Sequence, residues 1–278
     1  MLHDILASHP DIFMSRNKEP WFFALGANTQ AFTGPGDGQG VRERDAYLNL
    51  FANRGTSAVV GEASTLYLAS PIAPRAVQQE VPEAKIVAIL RNPVDRAFSN
   101  YTQHRWQGRE TLTFEAAVAA GPERVSSGWA PFWDYRAMSN YGEQLDRWYS
   151  HFPRDQIKII FFDDLISDQG STIADLFRFL DVRDMELSVV RGQVNAAGEP
   201  KWSRLHAFLR RSSRSKRILQ SVMPRKLSAT LRAEIDKRNR GEAGQPSVEI
   251  SAQLTAGYQD QLALTEYLID RKLPPWLS

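Results

Sequence analysis

An arginine and a serine stand eight positions apart in KIVAILRNPVDRAFSNY, residues 85–101, in a pattern that could bind an anion. The apolar residues 86–90 predict a strand buried on both faces, and Arg91 follows at its carboxyl end. The Asn-Pro pair that comes next ends the strand and starts a helix. Ligands bind at this edge of open parallel sheets, so Arg91 and the Ser99 hydroxyl could hold a phosphate-like anion. A turn-closing ion pair between Arg91 and Asp95 explains the same pattern equally well.

Strands and helices alternate on either side of this segment. Short apolar runs at residues 57–60 and 157–162 predict two more strands. Residues at helical spacing in 141–152 predict a core helix, and two more helices are predicted near 42–53 and 248–269. This alternation predicts an α/β fold with a parallel sheet flanked by helices.

Composition restricts the classes of function. The 278 residues, 42% of them hydrophobic, suffice for one large core, so we predict a single domain over 1–278 whose part after residue 200 is mostly helical. The 34 basic and 32 acidic residues leave a net charge of +2, which does not indicate a nucleic-acid partner. The lack of cysteine excludes disulfides, thiolate catalysis and Cys-based zinc sites and favours a cytoplasmic location. No apolar run is long enough to predict a transmembrane segment.

Two other segments have an unusual composition. The glycine-rich residues 34–40 lack the Gly-Lys-Ser/Thr of a phosphate loop and are interpreted as a connector. Residues 201–232 contain many Arg and Lys, no acidic residue, and apolar residues at roughly helical spacing. The segment is either a solvated helical face over the core or a contact to a membrane surface or an acidic acceptor.

Five ordered blocks resemble the sulfotransferase family, and its bacterial and heparan-sulfate-type members in particular: ASHPDIFMSRNKEPWFF, GEASTLYL, ILRNPVDRAFSNY, YGEQLDRWYSHFPRDQIKIIFFDDL, and FRFLDV followed by VNAAG. The resemblance covers nearly the whole chain. It implies transfer of a sulfuryl group from 3′-phosphoadenosine 5′-phosphosulfate (PAPS) to an acceptor hydroxyl or amine on a glycan, lipid or small metabolite. It also implies a P-loop-kinase-like sulfotransferase fold and no metal.

The resemblance assigns the candidate residues for the nucleotide. The family's arginine and serine that hold the 3′-phosphate correspond to Arg91 and Ser99. Lys201 occupies the place of a loop that closes over the nucleotide and is a possible further phosphate contact. The aromatic residues within 126–135 either line the acceptor cleft or belong to the core. His104 is predicted to be a helix-surface residue.

The resemblance also implies a general base. The acidic residue that plays this role in heparan-sulfate-type members corresponds to Glu19, because the acceptor must lose a proton as its bond to sulfur forms. Glu62 is the second candidate. Without the resemblance, an ion pair of Glu19 with Lys18 or Arg16 would be the expected arrangement. Related enzymes often carry lysine where this chain has Ala63, which removes one cation from the expected site.

One family signature is absent from the sequence. The loop Gly-x-x-Lys-x-Gly-Thr-Thr, which follows the first strand and wraps the 5′-phosphosulfate, does not occur, and Met1 corresponds to the residue just after it. We therefore expect the fold without its first strand and loop, with neighbouring strand edges unpaired. Either translation starts upstream or the chain is a truncated, inactive copy that binds without catalysing. A nucleotide kinase is disfavoured because no Gly-Lys-Ser/Thr occurs.

Overall fold

The structure is a computed structural model that describes residues 1–25, 32–35, 40–185 and 244–276. The strands are β1 Ile12–Met14, β2 Val59–Gly61, β3 Ile86–Leu90 and β4 Ile157–Phe161. The helices are α1 Leu2–Ala7, α2 Phe22–Leu25, α3 Arg44–Asn49, α4 Leu66–Ala69, α5 Ala73–Glu80, α6 Pro93–Trp106, α7 Phe114–Ser126, α8 Tyr141–Tyr149, α9 Phe162–Ser167, α10 Gln169–Phe179 and α11 Val248–Ile269.

The described strands form two parallel pairs. β1 pairs with β2, with Ile12 opposite Val59, and β3 pairs with β4, with Ile86 opposite Ile157. Parallel neighbours need a crossover connection, and helices lie between the paired strands along the chain. The predicted class, α/β with parallel strands flanked by helices, is confirmed.

One apolar cluster joins the two strand pairs. Ile12 and Met14 of β1 lie in the same buried cluster as Ile160 of β4, together with side chains of α1 and α10. Full burial of each such side chain contributes about 1.5–3 kcal/mol to stability. The carboxyl ends of β1 and β4 are therefore held by one shared core.

A second cluster fixes the helices that follow β3. α11 packs along α8 and α6, and the buried side chains include Leu90, Tyr141 and Tyr258. The α8–α11 contact is close at Gly142, where an added Cβ would lie 2.7 Å from the backbone oxygen of Gln261. Any larger side chain at residue 142 would push the helices apart.

The predicted core helix over 141–152 is confirmed on its apolar face. Tyr141, Leu145 and Trp148 of α8 are buried, and so is Phe152 just beyond its end. The predicted strand at 86–90 and the helix at 248–269 have the bounds that the sequence indicates.

Other predictions need correction. β2 begins two residues later than predicted, and β4 ends at Phe161 because Phe162 begins α9. The predicted double burial of β3 is wrong at Ile89, which is 38% exposed. The helix predicted near 42–53 is restricted to Arg44–Asn49. Residues 201–232, including Lys201, and most of the glycine-rich segment lie outside the described residues.

Candidate functional site

The turn after β3 places Arg91 directly before a well-capped helix. The Asn92 side-chain oxygen accepts hydrogen bonds from the backbone N–H groups of Val94 and Asp95, at 2.9 and 3.2 Å. Its side-chain amide donates to the backbone oxygen of Trp276 at 2.6 Å. Asn92 therefore fixes the backbone next to Arg91 to the start of α6 and to the segment that contains Trp276.

Among the described residues, Arg91 has few contacts, and some of its N–H donors have no partner there. Its guanidinium lies 3.6 Å from the Asp95 carboxylate and 5.0 Å from the centre of the Phe162 ring, and its side chain is 34% exposed. The Asp95 distance exceeds the usual range of hydrogen bonds, and guanidinium has five N–H donors. The turn-closing ion pair is therefore present but weak, and it does not exclude binding of an anion by Arg91.

Ser99 lies about two helical turns further along α6. Its backbone oxygen accepts a hydrogen bond from the Thr102 hydroxyl at 2.9 Å. Within the described ranges, its own hydroxyl has no hydrogen-bond partner, and the side chain is partly exposed. Arg91 and Ser99 thus present an accessible guanidinium and hydroxyl on the first two turns after β3.

Glu19 is held on one oxygen. Its Oε2 accepts hydrogen bonds from the Trp21 indole N–H at 2.7 Å, the Thr65 backbone N–H at 2.9 Å and the Thr65 hydroxyl at 3.1 Å. Lys18 donates instead to Asp4, at 2.6 Å. The ion-pair alternative for Glu19 with Lys18 is therefore not formed. No hydrogen bond to Oε1 of Glu19 occurs in the part of the chain that the structure describes.

The backbone that carries Glu19 is strained. Glu19 and Trp21 have φ of 60° and 54°, on either side of Pro20. Positive φ is unfavourable for residues other than glycine, and a residue before proline is disfavoured in helical conformations. Such strain persists only where surrounding contacts hold it, and it is concentrated at functional sites. The strained backbone conformation of this loop therefore accompanies one fixed orientation of the Glu19 carboxylate.

Glu62 lies beneath this loop, and both of its oxygens are occupied. Oε1 accepts hydrogen bonds from the hydroxyls of Tyr67 at 2.6 Å and Tyr47 at 3.2 Å, and Oε2 accepts from Ser64 at 2.8 Å. Burial raises the pKa of Glu62, the three hydrogen bonds oppose this rise, and the nearby Glu19 charge adds to it. With no oxygen left open, Glu62 is less suited than Glu19 to accept a substrate proton.

Another carboxylate, Glu110, is buried in a different network. Glu110 accepts two hydrogen bonds from Arg124, at 2.6 and 3.0 Å, and one from Tyr135 at 2.9 Å. Tyr135 is in turn 3.0 Å from Nδ1 of His104. His104 is only 5% exposed, so its predicted surface position is wrong. Burial and the positive charge of Arg109 lower the pKa of His104 to about 4.

The aromatic residues of 126–135 belong mainly to the core. Trp133 and Tyr135 are fully buried, whereas Trp129 and Phe132 are partly buried. The Phe132 ring lies 5.5 Å from the Trp21 ring. The segment therefore supports the loop that carries Glu19, and core packing accounts for most of it.

The structure groups the candidate residues in two places. Glu19 and Glu62 follow the carboxyl ends of β1 and β2, whereas Arg91 and Ser99 follow the carboxyl end of β3. Among the described residues, no hydrogen bond or ion pair joins the two groups. Lys201 lies outside the described residues. Both places are strand ends of the kind at which parallel sheets bind ligands.

Sequence reasoning missed the partners that hold the two glutamates. The Ser-Thr pair at Ser64 and Thr65 precedes α4, and such residues are typical before a helix. That signal could have indicated Thr65 as a residue with a backbone N–H and a hydroxyl available to bind a carboxylate. No sequence signal connects Tyr47 to Glu62, because they lie on separate segments.

The described ranges contain neither a metal-binding cluster nor a membrane-spanning helix. No group of three or more His, Asp or Glu side chains there could hold a metal ion. In the same ranges, no helix is both long enough and apolar enough to cross a bilayer.

Residues 62–196 match the family description "Sulfotransferase domain". The chain is similar to bifunctional heparan sulfate N-deacetylase/N-sulfotransferase 1 from Xenopus tropicalis, with 30% identity over 193 residues, and from Caenorhabditis briggsae, with 32% over 189. Each match covers 65% of this chain, and the chain spans about a fifth of the length of these relatives, 20% and 21%. The crystal structure of a sulfotransferase from Alicyclobacillus acidocaldarius superposes with a TM-score of 0.74 and 30% identity, covering 98% of this chain and 91% of that one.

Proposed function

Because the chain belongs to the sulfotransferase family, we propose that it transfers a sulfuryl group from PAPS to a hydroxyl or amine of an acceptor. The observation that carries the proposal is that a pair of accessible hydrogen-bond donors and an oriented carboxylate both follow the carboxyl ends of parallel strands. Arg91 and Ser99 form the first, and Glu19 is the second.

Arg91 and Ser99 bind the 3′-phosphate of the nucleotide in this proposal. Among the described residues, the weak contact with Asp95 leaves N–H donors of the guanidinium without a partner, and the Ser99 hydroxyl has none. Hydrogen bonds between such groups and a phosphate are charge-assisted and stronger than neutral ones. Lys201 is proposed as a further phosphate contact by family resemblance alone. PAPS, when bound, supplies the activated sulfuryl group and the leaving phosphate.

Glu19 acts as the general base. As the acceptor oxygen or nitrogen bonds to sulfur, the bond from sulfur to the phosphate oxygen breaks, and Glu19 accepts the proton that the acceptor loses. Trp21 and Thr65 hold Oε2 of Glu19, so that Oε1 remains open to the acceptor. A fixed base needs little reorganisation at the moment of reaction.

The names of the relatives favour a glycan as the acceptor, because they describe heparan sulfate N-sulfotransferases. A hydroxyl on a lipid or small metabolite is the alternative. Ala63, in place of the lysine common in related enzymes, removes one cation from the site. The cytoplasmic location that the lack of cysteine favours remains a prediction.

Nucleotide selectivity tests the proposal most directly. Calorimetry would compare 3′-phosphoadenosine 5′-phosphate with adenosine 5′-phosphate, which has a 3′-hydroxyl. We expect tighter binding of the 3′-phosphate form and loss of that preference in Arg91→Ala. Arg75→Ala, at an exposed arginine of α5, serves as the control with unchanged preference. Equal affinity of the parent protein for both nucleotides would overturn the nucleotide assignment.

A further inference from the structure

Two hydroxyl groups connect Glu62 to the strained loop that carries Glu19. The Ser64 hydroxyl donates to Glu62 at 2.8 Å and accepts the backbone N–H of Trp21 at 3.2 Å. The Tyr67 hydroxyl donates to Glu62 at 2.6 Å and accepts the backbone N–H of Phe23 at 3.3 Å. We refer to these two connections as the Ser64 arm and the Tyr67 arm.

The arms satisfy backbone donors that the start of α2 leaves open. The first N–H groups of a helix have no partner within the helix, and Trp21 and Phe23 lie at this start. A hydroxyl has one proton to donate and lone pairs to accept with. Because Glu62 accepts a hydrogen bond from the hydroxyl in each arm, the lone pairs of Ser64 and Tyr67 face the N–H groups of the loop.

We propose that Glu62 is a positioning residue for Glu19. By fixing the direction of both hydroxyls, Glu62 holds the backbone at Trp21 and Phe23, and the Trp21 indole in turn holds the Glu19 carboxylate. Glu62 does not contact the acceptor and transfers no proton. The inference rests on the proposed function in one respect, the role of Glu19 as base.

The third donor to Glu62 supplies a matched control. The Tyr47 hydroxyl is 3.2 Å from Oε1 of Glu62, but it makes no hydrogen bond to the Glu19 loop among the described residues. Ser64→Ala, Tyr67→Phe and Tyr47→Phe each remove one hydroxyl from Glu62. Only the first two break an arm. A purely structural role of the cluster would affect all three variants alike.

Turnover measurements distinguish positioning from direct catalysis. Glu62→Gln directs an amide N–H₂ at one of the arms, so we expect kcat to fall about tenfold to a hundredfold, the range that misplacement of a catalytic group produces. Nucleotide affinity should stay within about twofold, since Arg91 and Ser99 are not part of the arms. The double variant Glu19→Gln/Glu62→Gln should be no slower than Glu19→Gln alone, because Glu62 acts through Glu19. Multiplicative losses, or an active Glu19→Gln beside an inactive Glu62→Gln, would overturn the proposal.

A spectroscopic test does not depend on activity. The Trp21 indole N–H donates to Glu19, so its proton signal in an ¹H–¹⁵N spectrum reports this bond, and Trp21→Phe assigns the signal. We expect the signal to shift in Glu62→Gln, Ser64→Ala and Tyr67→Phe but not in Tyr47→Phe. If the parent protein transfers no sulfuryl group, this pattern still supports the positioning of Glu19 while the proposed function fails. An unchanged indole signal in both arm variants would overturn the inference, even if Glu62→Gln does not fold.

Discussion

Glu62 is partly buried and Glu110 is buried, and the surroundings of the two carboxylates differ in one respect that separates their roles. Glu110 is 3% exposed and pairs with the Arg124 guanidinium, which compensates its charge. Among the described residues, Glu62 accepts hydrogen bonds only from neutral hydroxyls, and it lies near a second carboxylate, Glu19. A buried carboxylate with a structural role usually has a partner of opposite charge. A buried carboxylate without one is typical of functional sites.

The pKa values of the two groups diverge accordingly. Burial raises the pKa of Glu62, and its hydrogen bonds from hydroxyls do not cancel this rise. Burial also disfavours the charged form of Glu110, but hydrogen bonds from Arg124, the backbone and Tyr135 outweigh it, and the pKa lies below its ordinary value. For Glu110 the hydrogen bond from Arg124 is the largest contribution that lowers the pKa, and the backbone N–H of Leu112 adds to it, whereas the charge of Glu19 further raises the pKa of Glu62.

Breaking the Glu110 pair should have the largest effect on stability. Glu110→Gln leaves the half-buried charge of Arg124 without a partner, so we expect a loss of about 3–5 kcal/mol in the free energy of unfolding. Glu62→Gln replaces a group that has no charge partner and should cost about 1–3 kcal/mol, the penalty for a disturbed buried hydrogen-bond group. Urea unfolding measures both, with Glu123→Gln, an exposed residue of α7, as the control. A larger loss for Glu62→Gln would contradict the contrast between the two sites.

Glu19→Gln should show the opposite balance of stability and activity. The amide keeps an oxygen for Trp21 and Thr65 but cannot accept the acceptor's proton. We expect turnover to fall about a hundredfold or more, the usual contribution of general-base catalysis, with nucleotide affinity unchanged. Steady-state kinetics with PAPS and a glycan amine or hydroxyl acceptor measures it, and Glu83→Gln at an exposed position is the control. Turnover within twofold of the parent would exclude Glu19 as the base.

Arg124 and Arg91 show the same contrast between a charge with a close partner and a charge with a distant one. Arg124 donates two hydrogen bonds to Glu110, whereas the nearest carboxylate to Arg91 among the described residues is Asp95, at 3.6 Å. We expect Arg91→Ala to weaken binding of 3′-phosphoadenosine 5′-phosphate by about 1–3 kcal/mol, and Ser99→Ala by a smaller amount within that range, with little change in stability. Calorimetry measures the affinity, and Arg75→Ala is the control. An affinity unchanged in both variants would show that the phosphate binds elsewhere.

The sequence predicted the parts of this arrangement that depend on neighbouring residues. The apolar run of β3 and the Asn-Pro pair placed Arg91 at a strand end and started α6, because strand burial and helix capping are local properties. His104 was misplaced because α6 is covered by a later segment that contains Tyr135. The partners of Glu62 were missed for the same reason. Tyr47 lies in α3, before β2, whereas Glu62 follows β2, and only folding brings the Tyr47 hydroxyl to the Glu62 carboxylate.

The smallest expected effect is a difference in how stability depends on pH. Between the ordinary pKa of a glutamate and the raised pKa of Glu62, the folded state binds more protons than the unfolded state. Stability from Glu62 is therefore complete below the ordinary value and is lost as pH rises through the folded pKa. For Glu110 the sign reverses, since its lowered pKa gives stability that is present above the ordinary value and lost as pH falls through the folded pKa.

Urea unfolding of the parent protein, Glu62→Gln and Glu110→Gln across pH 4 to 9 should separate the two contributions. Glu62→Gln should lose less stability than the parent as pH rises, and Glu110→Gln should lose less as pH falls. His104, whose pKa is lowered to about 4, also destabilises the fold as pH falls from 6.5, so the acid side is read as the difference between parent and Glu110→Gln. Parallel pH profiles for the parent and Glu62→Gln would show that Glu62 has the same proton affinity in both states. The contrast with Glu110 would then rest on the charge partner alone, without a consequence for proton binding.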